Sequence, residues 1–205
     1  MFRRLLVLSA LYLLSLTASA SQLVRLEVDH RADIYEIRVE MEVDAPAEAV
    51  RAILTDYTHL DRLNASITTS EVVGTSRDGA IRVLTRFRNC VLFFCMDLQK
   101  VEDVTEDDQG RILVAMVPGS SSFRSGHASW EIRDTGNRSR VIHYAKLEPD
   151  LWIPPWMGTA ILKNTLRQEI LESFESLDCL ARNQCEQHSS GDSRMDDRND
   201  VTYEM

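Results

Sequence analysis

One long amphipathic helix that follows a run of strands constrains this chain more than any other feature. Over residues 158–181, Leu162, Leu166, Ile170, Phe174 and Leu177 recur at spacings of four and three, flanked by Ile161, Leu171 and Leu180. Lys163, Asn164, Arg167, Gln168, Glu172, Glu175 and Asp178 occupy the opposite side. Apolar residues at that period form one buried stripe on a helix, here about 36 Å long at the usual rise per residue. Between 35 and 147 the chain reads as strands, apart from a short helical passage near the start. A single helix arriving after antiparallel strands has to bury its stripe on their sheet. If the sheet curls around the helix, the space between them is a cavity. The protein is then a container and not a solid domain.

The strands follow from period-two patterning. Tyr35, Ile37, Val39, Met41 and Val43 share one face of segment 34–44, and Glu36, Arg38, Glu40 and Glu42 the other, which marks a half-buried antiparallel strand. Asp44-Ala-Pro46 opens a short helix, with Pro46 in its first turn and Asp44 or Ala45 as its cap. Residues 56–64 continue as a second short helix. Strands resume at 67–74, 80–89, 94–104 and 111–117, the last expected to be covered on both faces. Segments 126–133 and 139–147 form a hairpin around Thr135-Gly136-Asn137. In the register that keeps its faces apart, Trp130 lies opposite His143, Ile132 opposite Val141 and Ala128 opposite Ala145, so His143 points inward.

The N-terminus carries Arg3 and Arg4, an apolar run over 5–16, and Thr17-Ala-Ser-Ala20. This is the pattern of a cleavable secretory signal ending near Ala20, and the run is short for a span of roughly 20 apolar residues. The expected organisation is a signal peptide over 1–20, a lead-in over 21–33, one domain over 34–183 and a disordered polar tail over 184–205. The formal charge is −9. Loss of the two N-terminal arginines leaves 21 basic against 32 acidic residues. Such a surface disfavours nucleic acid and electrostatic docking on anionic lipid.

All four cysteines lie in the exported part, as Cys90 with Cys95 and Cys179 with Cys185. An even count in an oxidising compartment favours disulfides, and local pairing is preferred among the three connectivities. Buried free thiols are the alternative. A metal site is not expected, because zinc spacings and nearby histidines are missing. The five histidines, His30, His59, His127, His143 and His188, form no nucleophile or zinc motif, and no glycine-rich phosphate loop is present. Asp56 reads as a turn-capping residue before a catalytic carboxylate. His143 is either a polar contact for a ligand head group or a buried histidine bonded to a carbonyl. No catalytic residue and no cofactor are assigned.

The order of one strand, two short helices, six strands and one long helix resembles the START-like (SRPBCC) superfamily of helix-grip proteins. The branch it is similar to groups coenzyme-Q-binding proteins with polyketide cyclases. The resemblance covers about 34–181. It is carried by Val43-Asp-Ala-Pro-Ala-Glu-Ala-Val50, by Asp56-Tyr57 with Leu60 and Leu63, by Phe123 with Gly126 and Trp130, and by 147–155 before the last helix. It implies an α+β fold in which a seven-stranded antiparallel sheet wraps around the C-terminal helix, with two short helices after the first strand and an elongated apolar cavity.

Under that topology Val39, Met41, Val83, Phe87, Val114, Met116 and Trp130 line the cavity, joined by His143 and by Leu162 and Leu166 from the helix. Trp152 and Trp156, with Met157, either staple the helix entry or seal the cavity mouth, and 147–158 is the lid candidate. The loop 119–124, rich in serine, is a second mobile candidate. The run Val91-Leu-Phe-Phe94 is core, or else a hairpin tip that makes a transient membrane contact. The function expected is non-catalytic binding of a small hydrophobic ligand outside the cytoplasm: a lipid, an isoprenoid or quinone-like molecule, or a polyketide-like compound. A cyclase or dehydratase acting on aromatic or polyketide-like substrates is the alternative. The secretory signal departs from the better-known intracellular and mitochondrial members, so quinone chaperoning does not transfer directly.

Overall fold

The computed structural model describes residues 22–91, 94–150, 159–183 and 185. The signal segment, Leu92, Phe93, Trp152, Ile153, Trp156, Met157 and the tail beyond Cys185 lie outside the described residues, as does the side chain of Leu162. The elements are β1 (Gln22–Arg31), β2 (Ile34–Val43), α1 (Ala47–Leu54), a 3-10 turn (Leu60–Leu63), β3 (Ile67–Thr75), β4 (Ile81–Val91), β5 (Phe94–Glu106), β6 (Ile112–Met116), β7 (Phe123–Asp134), β8 (Ser139–Pro149) and α2 (Thr159–Ala181). The fold is an α+β helix-grip.

The sheet has eight strands in the order β1-β2-β8-β7-β6-β5-β4-β3, one more than the seven expected. The added strand is the lead-in. Leu26 and Val28 alternate there with Arg25, Glu27 and Asp29, and β1 pairs along β2 from Gln22↔Glu42 to Arg31↔Ile34. A loop of Ala32 and Asp33 joins them, with Ala32 left-handed at φ 52°. The other departures are local. The second short helix is only the 3-10 turn, and α1 starts after Pro46, whose carbonyl accepts from the amides of Ala49 and Val50. Strand β6 is open on its outer side at Ala115, because both helices sit on one face of the sheet.

The β7–β8 hairpin takes the register read from its pattern: Trp130↔His143, Ile132↔Val141 and Ala128↔Ala145. Strand β2 buries alternate residues from Tyr35 to Val43. The filled core joins these to Val50 and Leu54 of α1, to Val83 and Val104, and to Phe174, Leu177 and Ala181 at the C-terminal end of α2. Burial along α2 is graded. Ile161 near its start is 39 % exposed, whereas Phe174 and Leu177 are 5 % and 1 % exposed. The helix is thus most deeply buried in its C-terminal half, while Leu166 and Ile170 of its N-terminal half pack partly buried against the core.

Two disulfides are present, Cys90–Cys95 and Cys179–Cys185. The first joins directly paired residues at the end of the β4–β5 hairpin. The serine loop after β6 is tied down. Strand β6 ends at Met116, which leaves the outer amides of β5 without a ladder partner. The Val101 and Gln99 amides donate to Ser121 Oγ and Ser122 Oγ instead, the Ser122 amide donates to the Gln99 carbonyl, and Gln99 Nε2 donates to the Ser120 carbonyl. Serine hydroxyls that suggest mobility in the sequence here satisfy backbone donors.

Candidate functional site: a cavity under the long helix

Between the N-terminal half of α2 and the sheet lies a cavity of about 300 Å³. Strands β4 and β5 contribute Phe87, Asn89, Met96, Leu98 and Lys100, each from the inward phase of its strand. Strands β7 and β8 contribute Phe123, Trp130, His143, Leu147 and Pro149, and β2 contributes Tyr35. Helix α2 supplies Thr165, Leu166, Glu169, Ile170, Ser173 and Phe174, and the chain after the 3-10 turn supplies Asn64, Ser66 and Ile67. The lining is predominantly apolar with a few placed polar groups, as in ligand pockets generally.

An aromatic cluster separates the cavity from the filled core. The Trp130 and His143 rings stack with centroids 3.8 Å apart, and Trp130 meets Phe174 at 6.0 Å. Of the residues expected to line the cavity, Phe87, Trp130, His143 and Leu166 do so. Val39, Met41 and Val83 sit in the core cluster, and Val114 packs against it. Met116 is buried beside Gly126, where an added Cβ would come within 2.8 Å of its Sδ and 3.2 Å of Leu147 Cδ2. The missing side chain at Gly126 lets Met116 and Leu147 close over β7.

The polar lining is organised. Asn64, 7 % exposed, donates through Nδ2 to the Glu169 carbonyl (3.0 Å) and to Ser173 Oγ (3.0 Å), and its Oδ1 accepts from the Ser66 amide (2.8 Å). This one side chain fixes α2 against the start of β3. Lys100 pairs with Glu102 (3.3 Å) and lies over the Phe87 ring at 4.9 Å. The His143 Nδ1–H donates to the Ser129 carbonyl at 3.1 Å. His143 lines the cavity and is largely buried. That burial lowers its pKa from 6.5 to about 4, against the Ser129 hydrogen bond, with nearby Lys100 lowering it further. His143 is therefore neutral at physiological pH.

Asp56 lies elsewhere and organises a turn. Its carboxylate accepts from Thr58 Oγ1, His59 Nδ1 and Arg62 Nη2 at 3.1, 2.8 and 2.6 Å, contacts that hold it below the usual carboxylate range, the His59 hydrogen bond foremost. Among the described residues no group of His, Cys, Asp or Glu is placed to hold a metal ion, and no helix is long and apolar enough to cross a membrane.

Pattern reading did not single out Asn64, Asn89, Lys100, Glu169 or Ser173. The signal for Lys100 is its phase, since Met96, Leu98 and Lys100 alternate on one face of β5. For Glu169 and Ser173 it is their position beside the apolar stripe of α2.

A sheet that grips one helix over an apolar cavity defines a START-like domain. The chain belongs to the family described as polyketide cyclase / dehydrase and lipid transport, whose profile matches residues 35–182. Solved structures share the fold. The protein TTHA0849 from Thermus thermophilus is 21 % identical with a TM-score of 0.56, over 73 % of this chain and 99 % of that one. The Zhui aromatase/cyclase from Streptomyces sp. R1128 is 11 % identical with a TM-score of 0.57, over 77 % and 99 %. A STAR-related lipid transfer protein fragment from Xanthomonas axonopodis is 16 % identical with a TM-score of 0.53, over 77 % and 98 %. No curated protein is significantly similar to the chain in sequence.

Proposed function

We propose that this protein binds and carries a small hydrophobic ligand in the cavity under α2, outside the cytoplasm and without changing it chemically. The observation that carries this reading is the cavity of about 300 Å³ with its mainly apolar lining. Burying some 300 Å² of ligand surface at about 25 cal/mol per Å² offers on the order of 7 kcal/mol before ordering costs. A lipid, an isoprenoid or a polyketide-like compound fits this description. Phe87, Trp130, His143 and Leu166 form the contact surface, with Val39, Met41, Val83, Val114 and Met116 as the packed wall behind and beside it. The mouth expected at Trp152, Trp156 and Leu162, and the lid expected over 147–158, fall largely outside the described residues. The family description includes lipid transport, and one relative is titled a lipid transfer protein.

Export rests on residues 1–20 as a cleavable signal, and the two disulfides support an oxidising compartment. N-terminal sequencing of the exported protein is expected to begin at Ser21.

Two measurements test the container reading. Native mass spectrometry of protein from its own source is expected to show a co-purifying apolar compound. The purified protein is expected to take up the neutral fluorophore N-phenyl-1-naphthylamine, and Leu166→Trp, which fills the cavity, to reduce that uptake. A ligand-free protein with no dye uptake rules the reading out.

The cyclase reading has one observation in its favour: His143, Lys100 and Glu169 converge on the cavity. Against it, a histidine with a pKa of about 4 is a weak base and holds no proton to give at neutral pH. Turnover of an aromatic polyketide by wild type, lost in His143→Ala, would favour the enzyme.

A further inference from the structure

Two buried atoms of the cavity lining have no hydrogen-bond partner among the described residues, and both are acceptors. Glu169 Oε2 is buried and accepts no hydrogen bond, and Glu169 takes part in no ion pair among the described residues. Asn89 Oδ1, on the opposite wall, is likewise buried without a donor. His143 commits its Nδ1–H to Ser129, so Nε2 is a bare lone pair, with no partner among the described residues. These are three acceptors, contributed by α2, β4 and β8. The cation in the lining, Lys100, is already matched by Glu102 and by the Phe87 ring. Once that pair is set aside, the Glu169 carboxyl is the uncompensated acidic group.

A buried acceptor without a donor costs on the order of 1–3 kcal/mol, more if it is charged. The fold keeps two of them, Glu169 Oε2 and Asn89 Oδ1, around one apolar space that His143 also lines, and an occupant that donates a hydrogen bond relieves this cost. A carboxylate or phosphate head group brings further acceptors and a like charge beside Glu169. A quinone likewise offers acceptors only. An ammonium would donate but would have to leave water for a mostly apolar lining, at a larger desolvation cost. An alcohol or phenol donates its O–H at small desolvation cost and accepts in return from any free hydroxyl.

We propose that the cavity selects hydroxyl-bearing apolar molecules, with Glu169 as the principal acceptor for the ligand O–H and His143 and Asn89 as flanking acceptors. This rests on the reading of the cavity as a ligand site and narrows it from any small hydrophobe to an apolar alcohol or phenol. Glu169 is held in place for the task, since its own backbone carbonyl receives Asn64 Nδ2 and Ser173 Oγ at 3.0 and 2.8 Å. Its position on the helix is therefore fixed independently of the carboxyl.

The test compares 1-decanol, decane and decanoate as competitors of bound N-phenyl-1-naphthylamine at pH about 8, where the acid is ionised. Wild type is expected to bind 1-decanol at least about tenfold more tightly than decane or decanoate, the ratio expected for a hydrogen bond to a charged acceptor. Glu169→Leu is expected to lose the preference for decanol over decane. Glu169→Gln keeps an acceptor oxygen without the charge, so it is expected to retain the decanol-over-decane preference and to discriminate less against decanoate. Circular dichroism of both variants establishes that they fold, and Glu169→Gln alone suffices if Glu169→Leu does not. Equal binding of decanol and decane by wild type, tighter binding of decanoate, or an unchanged decanol preference in Glu169→Leu would each overturn the proposal while leaving the container reading intact. The last result would mean that water alone satisfies Glu169. If none of the three compounds competes and the dye itself does not bind, the container reading fails and this inference falls with it.

Discussion

Trp130 and His143 lie directly opposite each other on β7 and β8, and their rings stack 3.8 Å apart at the boundary between the filled core and the cavity. The contact combines two constraints. The stack holds the imidazole flat against the indole, and the Ser129 carbonyl takes its Nδ1–H. The ring is thereby fixed as the neutral tautomer whose remaining nitrogen is an acceptor.

That arrangement makes a pH prediction. Burial lowers the His143 pKa to about 4 from 6.5. Between those values the unfolded chain takes up a proton that the folded protein refuses, so the unfolded state is favoured as pH falls. The His143 contribution is fully present above pH 6.5 and is lost progressively as pH drops toward 4, by on the order of 3 kcal/mol. Urea denaturation at pH about 7 and about 4.5 is expected to show a larger loss for wild type than for His143→Phe. Equal losses in the two proteins would sink this account.

Asn64 gives a prediction about how the helix is seated. Its amide links the Ser66 amide, the Glu169 carbonyl and Ser173 in a buried position. Asn64→Ala strands these groups and is expected to cost about 1–3 kcal/mol, read as a lowered urea midpoint. Asn64→Asp keeps the acceptor for Ser66 but sets an oxygen against the Glu169 carbonyl, and is expected to be no better than alanine. Wild-type stability in either variant would show that α2 does not depend on this link.

The fold was legible where one face is wet and the other dry. Strand β2 and the β7–β8 hairpin alternate cleanly, so a one-residue slip would have mixed their faces, and their observed register follows. The long helix was legible from its stripe, and its described part runs over Thr159–Ala181. Strand β1 was missed although Leu26 and Val28 alternate with charges, because an edge strand half open to water carries a weak signal beside a signal segment. The cavity was less legible. A residue facing the sheet interior has the same pattern whether it meets a helix or a void, so Val39 and Phe87 could not be separated in advance. What separates them is where they sit along α2, whose burial runs from Leu177 in the core to the exposed Ile161. Polar lining residues such as Lys100 and Glu169 were hidden because a charge on an inward phase contradicts the pattern that reveals the phase.

The disulfides give a prediction that separates covalent from packing stability. Cys90–Cys95 closes a six-residue loop at the end of the β4–β5 hairpin, and loop-closure entropy assigns such a link about 2 kcal/mol. The double variant Cys90→Ser/Cys95→Ser is expected to lose about that much in urea denaturation and to keep its far-ultraviolet circular dichroism, since the hairpin also has its backbone ladder. An unchanged midpoint would show that the bridge does not restrict the unfolded chain.

Ala32 supplies a prediction of opposite sign. It occupies the left-handed region at φ 52° in the two-residue loop between β1 and β2. There a Cβ crowds the following carbonyl at a cost of about 1–2 kcal/mol, which glycine avoids. Glycine also gives the unfolded chain more freedom, which offsets part of the gain. The net expectation for Ala32→Gly is a stabilisation of about 0.5–1 kcal/mol, whereas Ala32→Val, with a branched side chain at positive φ, is expected to destabilise. Because β1 is an edge strand held through its pairing with β2, the glycine variant is also expected to slow amide hydrogen exchange along Leu26–Val28, and the valine variant to speed it. Exchange at these amides that stays the same in both variants would show that the loop does not control the docking of β1.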